Sequence, residues 1–107
     1  MNNKERCLQL HVNSVANNPA NIMSGEPYYL GFDFFIKKDD INEMIKFVSL
    51  VLKELDVPLI NMTILGEKDL NKDDILTKKE IVKEIKKYAV AYRVQARKCY
   101  DLKHEKN

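Results

Sequence analysis

Residues 28–66 read YYLGFDFFIKKDDINEMIKFVSLVLKELDVPLINMTILG, and the change of period inside them decides the fold. Over residues 28–36 the pattern repeats every two positions. Tyr28, Leu30, Phe32, Phe34 and Ile36 form one face, and Tyr29, Gly31, Asp33 and Phe35 the other. Period two marks a strand, because successive side chains point to opposite sides of a sheet. From residue 41 the repeat lengthens. Ile41, Met44, Ile45, Val48, Leu52 and Leu55 recur at helical spacing. Phe47, Leu50 and Val51 widen that stripe and predict a helix buried over much of its girth. Asp40 and Glu43 have the spacing of an N-cap and its N3 partner. Pro58 pushes Val57 out of helical geometry, so the helix should stop near Asp56. Period two then returns in residues 59–66, with Ile60, Met62 and Ile64 facing one way and Asn61 and Thr63 the other. A strand–helix–strand unit of this kind is expected to make a right-handed crossover.

Upstream, residues 7–15 (CLQLHVNSV) alternate as well: Leu8, Leu10 and Val12 on one side, Cys7, Gln9, His11 and Asn13 on the other. Residues 16–27 (ANNPANIMSGEP) are a long Asn-rich connection, of a length that serves either function or plain surface passage. Gly31, inside a strand, lets something approach the backbone closely, and a packed helix is the ordinary occupant. Downstream, residues 67–75 (EKDLNKDDI) read as a polar connection. Residues 77–104 (TKKEIVKEIKKYAVAYRVQARKCYDLKH) then form the longest helical pattern. Thr77 and Glu80 make a capping box, and Leu76 with Ile81 a hydrophobic staple across it. Ile81, Ile85, Tyr88, Tyr92, Cys99 and Leu102 form the main apolar stripe, widened by Val82, Ala89 and Ala96.

The element order is β-β-α-β-α. It defines an α+β fold over residues 1–107: one domain, a three-stranded sheet packed by two helices, and a long C-terminal helix. Two sheet orders are open. With the first strand central all neighbours are antiparallel, and with the second central the sheet is mixed. The aromatic weight of residues 28–36 favours the second.

Composition bounds the function. Among 107 residues, 45% are hydrophobic and 32% charged, which suits an ordered globular chain. No apolar run approaches the roughly 18 residues of a membrane span, and no secretion signal is visible. Cys7 and Cys99 are too few for a disulfide framework, so free thiols in a cytoplasmic setting are expected. The net charge of +2 hides an asymmetry. Residues 1–76 hold eight Lys/Arg against twelve Asp/Glu, and residues 77–107 hold ten against four. Only three of the 18 basic residues are arginine, which suits diffuse phosphate attraction better than base reading.

The candidate chemistry is sparse. Cys7 and His11 lie about 13 Å apart along a strand, and Cys99 and His104 point in different directions on a helix, so no metal and no cofactor are expected. His11, Asp33 and Cys7 would come together if the first two strands pair. No nucleophile elbow or phosphate loop accompanies them, and a cross-strand polar pair explains them equally. A non-enzymatic chain is the expectation.

The last helix departs from a simple amphipathic pattern. Lys79, Lys83, Lys86, Arg93 and Arg97 lie opposite the apolar stripe and form a possible anion-binding face. In the middle, residues 88–94 (YAVAYRV) place Val90 and Val94 among these basic side chains. A helix apolar nearly all round needs covering on both sides. Tyr88, Val90, Ala91 and Val94 are therefore the expected partner interface. The expected function is that of a protein-interaction module, a small adaptor or inhibitor that forms a homodimer or binds a protein partner. The alternative is nucleic-acid binding through the lysine-rich face.

Overall fold

The computed structural model describes residues 3–16 and 28–105. Its elements are β1 (Lys4–Ala16), β2 (Tyr28–Lys37), α1 (Ile41–Glu54), β3 (Asn61–Asn71) and α2 (Lys78–Glu105). Short 3-10 turns, Lys38–Asp40 and Lys72–Asp74, lead into α1 and out of β3. The α+β architecture, the element order and the long last helix match the expectation. The long connection at residues 17–27 lies outside the described residues. No helix among the described residues is long and apolar enough to cross a membrane.

The sheet order is β2-β1-β3, antiparallel throughout. Of the two open orders this is the one with the first strand central, against the direction in which the aromatic weight of β2 points. Steric demand accounts for the difference. The central strand presents slim residues to the helices, Leu8, Leu10, Val12 and Ser14, all buried. Bulkier Phe32 and Phe34 of β2 stand at the edge, where they reach beneath α2. The Phe32 and Tyr88 ring centroids lie 4.3 Å apart, and the Tyr88 hydroxyl donates to the Leu30 carbonyl at 3.0 Å. The core is Leu10 and Val12 from β1, Phe34 and Ile36 from β2, Met44, Val48, Val51 and Leu52 from α1, and Ile81, Ile85, Tyr88 and Ala89 from α2. Leu50 is exposed, so the apolar girth of α1 is narrower than its sequence implies.

β3 runs five residues past Gly66, through what reads in the sequence as a polar connection. The reason lies in β1, which begins at Lys4 and needs partners there. Lys4 through Gln9 pair with Asn71 through Gly66, and Arg6 forms ion pairs with Asp69 at 3.2 Å and Glu67 at 3.5 Å. A register shift between Gln9 and Leu10 leaves Leu65 as the extra residue of a bulge. Of the expected apolar face only Met62 packs against the core, while Ile60 and Ile64 remain about half exposed.

The helix ends follow from local chemistry, with one exception. Asp40 makes no capping hydrogen bond, because it closes the 3-10 turn. Glu43 instead accepts from Lys78 Nζ at 2.8 Å, tying the start of α1 to the start of α2. At the other end of α1, Asp56 takes a left-handed conformation (φ 57°), its N–H donates to Lys53 and that of Val57 donates to Leu52. This is a Schellman closure, with buried Val57 supplying the apolar contact that accompanies it. The capping box of α2 forms as expected: the Glu80 N–H donates to Thr77 Oγ1 at 3.2 Å, and the Thr77 N–H to Glu80 Oε1 at 3.1 Å.

That box gives a first expected result. Thr77→Ala should lower stability by about 1 kcal/mol at pH 7, read by urea unfolding. Its hydrogen bonds to Thr77 hold the Glu80 carboxyl below its ordinary range. A carboxylate with a lowered folded pKa contributes stability above its unfolded value, roughly 4.3, and loses it as pH falls through the folded value. The gap between wild type and variant is therefore expected to narrow by pH 3.

Candidate interaction surface

α2 carries both candidate surfaces, and its geometry divides their residues. Successive residues turn by about 100°, so nine positions give half a turn beyond two full ones. Val90 stands in that relation to Ile81, and Val94 to Ile85. Ile81 and Ile85 are fully buried, which sends the two valines directly away from the core. They are 56% and 50% exposed, and Ala91 is exposed beside them. Tyr88 does not join them. It is a core side chain, and burial pushes its phenol above the usual value. The expected interface thus reduces to Val90, Ala91 and Val94.

The basic residues also divide. Lys79, Lys83 and Lys86 are exposed on the outer side of α2. Arg93 reaches back to the body of the molecule, where its Nη2 donates to the Leu55 carbonyl at 3.0 Å. It thereby satisfies an acceptor at the end of α1, where the helix dipole favours a cation. Arg97 pairs with Asp101 at 3.3 Å, one turn on. Lys87 pairs with Glu84 at 3.4 Å. Within residues 83–98 there are six Lys/Arg and one acidic residue, so the valines sit inside a strongly positive rim. Tyr92 is the last described side chain of α2 in the apolar cluster, Arg93 still bonds to Leu55, Gln95 and Ala96 stay half-buried, and the helix runs on to Glu105. The molecule is accordingly elongated, 65 by 24 by 19 Å.

The helices cover one face of the sheet, and the other holds the residues weighed for catalysis. His11 and Asp33 are directly opposed across β1 and β2. They do not bond to each other. Asp33 accepts from Gln9 Nε2, His11 Nε2 lies 2.9 Å from Asn13 Oδ1, and Asn13 Nδ2 donates to Asn61 at 3.0 Å. Gly31 gives His11 and Asn13 their room, since a Cβ there would lie 2.9 Å from both side chains. The occupant above this glycine is a pair of polar side chains, not a helix. Cys7 is buried and its thiol is pushed up, first by burial and then by the Glu5 charge, which keeps it protonated and unreactive. Lys68, across from Cys7, extends over β1 to place its ammonium 5.8 Å from the Phe35 ring. Among the described residues no group of three or more His, Cys, Asp or Glu is placed to hold a metal. The side chains of Cys99 and His104 lie outside those described.

One concavity adjoins the start of α2. It has a volume of about 310 Å³, an apolar floor of Ile36, Met44 and Ile81, and a rim that includes Lys72 and Lys78. Both lysines are engaged, Lys72 with Glu5 at 3.6 Å and Lys78 with Glu43. The outer surface of α2 combines exposed apolar groups with dense positive charge, and a second set of exposed apolar side chains, Leu59, Ile60, Ile64 and Leu65, lies on and just before β3. Comparison with known proteins finds no matching family model, no matching curated protein and no matching solved structure.

Proposed function

We propose that this chain is a non-enzymatic protein-interaction module whose docking surface is the outer side of α2, centred on Val90 and Val94. The observation that carries this reading is their position: diametrically opposite the core, half exposed, and in the middle of the most basic surface. β-branched apolar residues placed there do nothing for the fold and add to the cost of exposure, which a covering protein would remove. The partner is a different protein rather than a second copy. Two α2 helices paired through their valines would set residues 83–98, with a net charge of +5 (six basic, one acidic), against the same segment. Like charges across an interface are repulsive, and charge of this density selects against self-pairing.

A second reading, nucleic-acid binding, is favoured by the exposure of Lys79, Lys83 and Lys86 along one helix. Such a row gives salt-sensitive, sequence-independent affinity. It leaves the valines unexplained, which is why it stands second.

The test is a photo-reactive amino acid at position 90, expressed in the cells that encode the chain, with position 46 as the control. Lys46 is exposed on α1. The expected result is one discrete protein adduct from position 90, resistant to nuclease and absent from position 46. Nuclease-sensitive adducts, or identical patterns from both positions, would overturn the proposal.

A further inference from the structure

We infer that the partner segment is an acidic amphipathic helix that lays an apolar stripe on Val90 and Val94 and its carboxylates on the lysines to either side. The inference rests on the reading of this surface as a protein interface and adds the chemistry of what fills it.

The argument begins with the dimensions of the apolar spot. Val90 and Val94 are four apart, one helical turn, and form a short ridge along α2. Ridges of this kind are complemented by the groove between i and i+4 side chains of a second helix. An extended strand would need unpaired backbone groups on this surface, and a helix offers none.

Charge then selects among helices. The rim is positive on both flanks. Arg93, Lys86 and Arg97 lie on one side of the valine ridge, and Lys87 and Lys98 on the other. A partner acidic on one side only would leave the second flank unmatched. The complementary helix carries Asp or Glu on both borders of its apolar stripe, and nothing basic there.

Two of the rim groups are already positioned. Arg93 is held by the Leu55 carbonyl and Arg97 by Asp101, so their side chains lose less freedom on binding than unanchored lysines would. They also leave guanidinium N–H groups for a carboxylate. Orientation matters as well. Val90 and Val94 point away from the core, so a helix can lie along them without colliding with the sheet.

Other polyanions fit less well. A nucleic-acid backbone matches the charge and offers no apolar group to the valines. An acidic unstructured tail has the same defect. An anionic membrane would take up an apolar face far wider than two valines.

The experiment uses the full chain and three fluorescent probes: an 18-residue peptide with leucine at helical spacing and glutamate on both borders, its scrambled isomer, and an 18-nucleotide single strand of DNA. Anisotropy should show the patterned peptide binding at least about tenfold more tightly than the scrambled one. Val90→Asp with Val94→Asp should abolish that preference, with far-UV dichroism and the melting temperature unchanged. Val90→Ser provides a milder variant should the double change disturb the helix. Affinity should fall as salt rises, because surface charges are screened.

Equal binding of patterned and scrambled peptides would overturn the inference, as would tighter binding of DNA that ignores the valine changes. Self-association abolished by Val90→Asp would overturn it in favour of a second copy. If position 90 captures a protein in cells while the peptide pattern makes no difference, the interface stands and its acidic helical partner falls.

Discussion

Ile85→Ala should cost about 3 kcal/mol of folding stability, within the usual range of roughly 2–5 for removing a buried branched side chain. Ile85 is fully buried and belongs to the cluster where α2 meets both α1 and the sheet. The loss has two parts: the transfer energy of the deleted methyl and methylene groups, and the cavity left behind. Relaxation is limited because the wall is drawn from four elements, none of which can close the gap without disturbing another. Val94→Ala, nine residues along on the same helix, is the internal control. It should change stability by less than about 0.5 kcal/mol, as exposed positions do. Denaturant unfolding of both variants measures the contrast. Equal effects would mean that α2 is packed in a different rotation, which would remove the basis for an outward-facing valine ridge.

Tyr88→Ala should have an effect of the same order or larger, about 3–5 kcal/mol by analogy with other buried aromatic truncations. The residue was expected from its neighbours to face a partner, so this variant separates the two placements. An interface tyrosine would leave the isolated protein as stable as wild type. Tyr88 instead packs at a tilt against Phe32, ring centroids 4.3 Å apart, and donates its hydroxyl to the Leu30 carbonyl, closing the end of the core over β2. Tyr88→Phe keeps the ring and removes only the hydrogen bond, and should cost about 1 kcal/mol. Thermal melts of the pair divide the contribution between ring and hydroxyl.

The parts of this fold that could be read in advance are those set by short-range chemistry. Thr77 and Glu80 identify the start of α2 because both partners of the box lie within one turn. The alternation of Leu8, Leu10 and Val12 identifies β1 because that face is buried from Leu8 to Ser14. β3 shows where this fails. Its second half, Glu67 to Asn71, is exposed apart from the half-buried Leu70 and carries almost no alternation, so only the needs of β1 reveal it as strand. The order of strands stayed open between two arrangements because aromatic bulk suggests a centre for β2 and nothing local contradicts it. In this sheet bulk is accommodated at the edge, beneath a helix that the local sequence of β2 does not mention.

The candidate surface was legible for a different reason. Val90 and Val94 are conspicuous because helical geometry places them away from Ile81 and Ile85, and that geometry needs no tertiary information. Arg93 was not legible in the same way. Its bond to Leu55 joins the end of α1 to the middle of α2, and no spacing along the chain announces such a contact. Tyr88 lay between the two cases, a member of the main apolar stripe that also falls inside the segment 88–94 whose apolar girth suggests a cover on both sides.

The central place of β1 bears on how the molecule comes into being. A ribosome completes this strand first among the described elements, yet its two neighbours arrive at very different times. β2 follows after one connection and can close a hairpin as soon as Tyr28 to Lys37 emerge. Lys4 must wait for Asn71, and Leu10 and Val12 must wait for Ile81 and Ile85 to cover them. During synthesis the nascent chain therefore carries an apolar hairpin with an open edge, the kind of surface that invites chaperones and premature pairing. Long-range strand closure of this sort is slow. The last helix to be made is the one that ends this exposure, so the step that completes the core is also the step that first forms the basic surface.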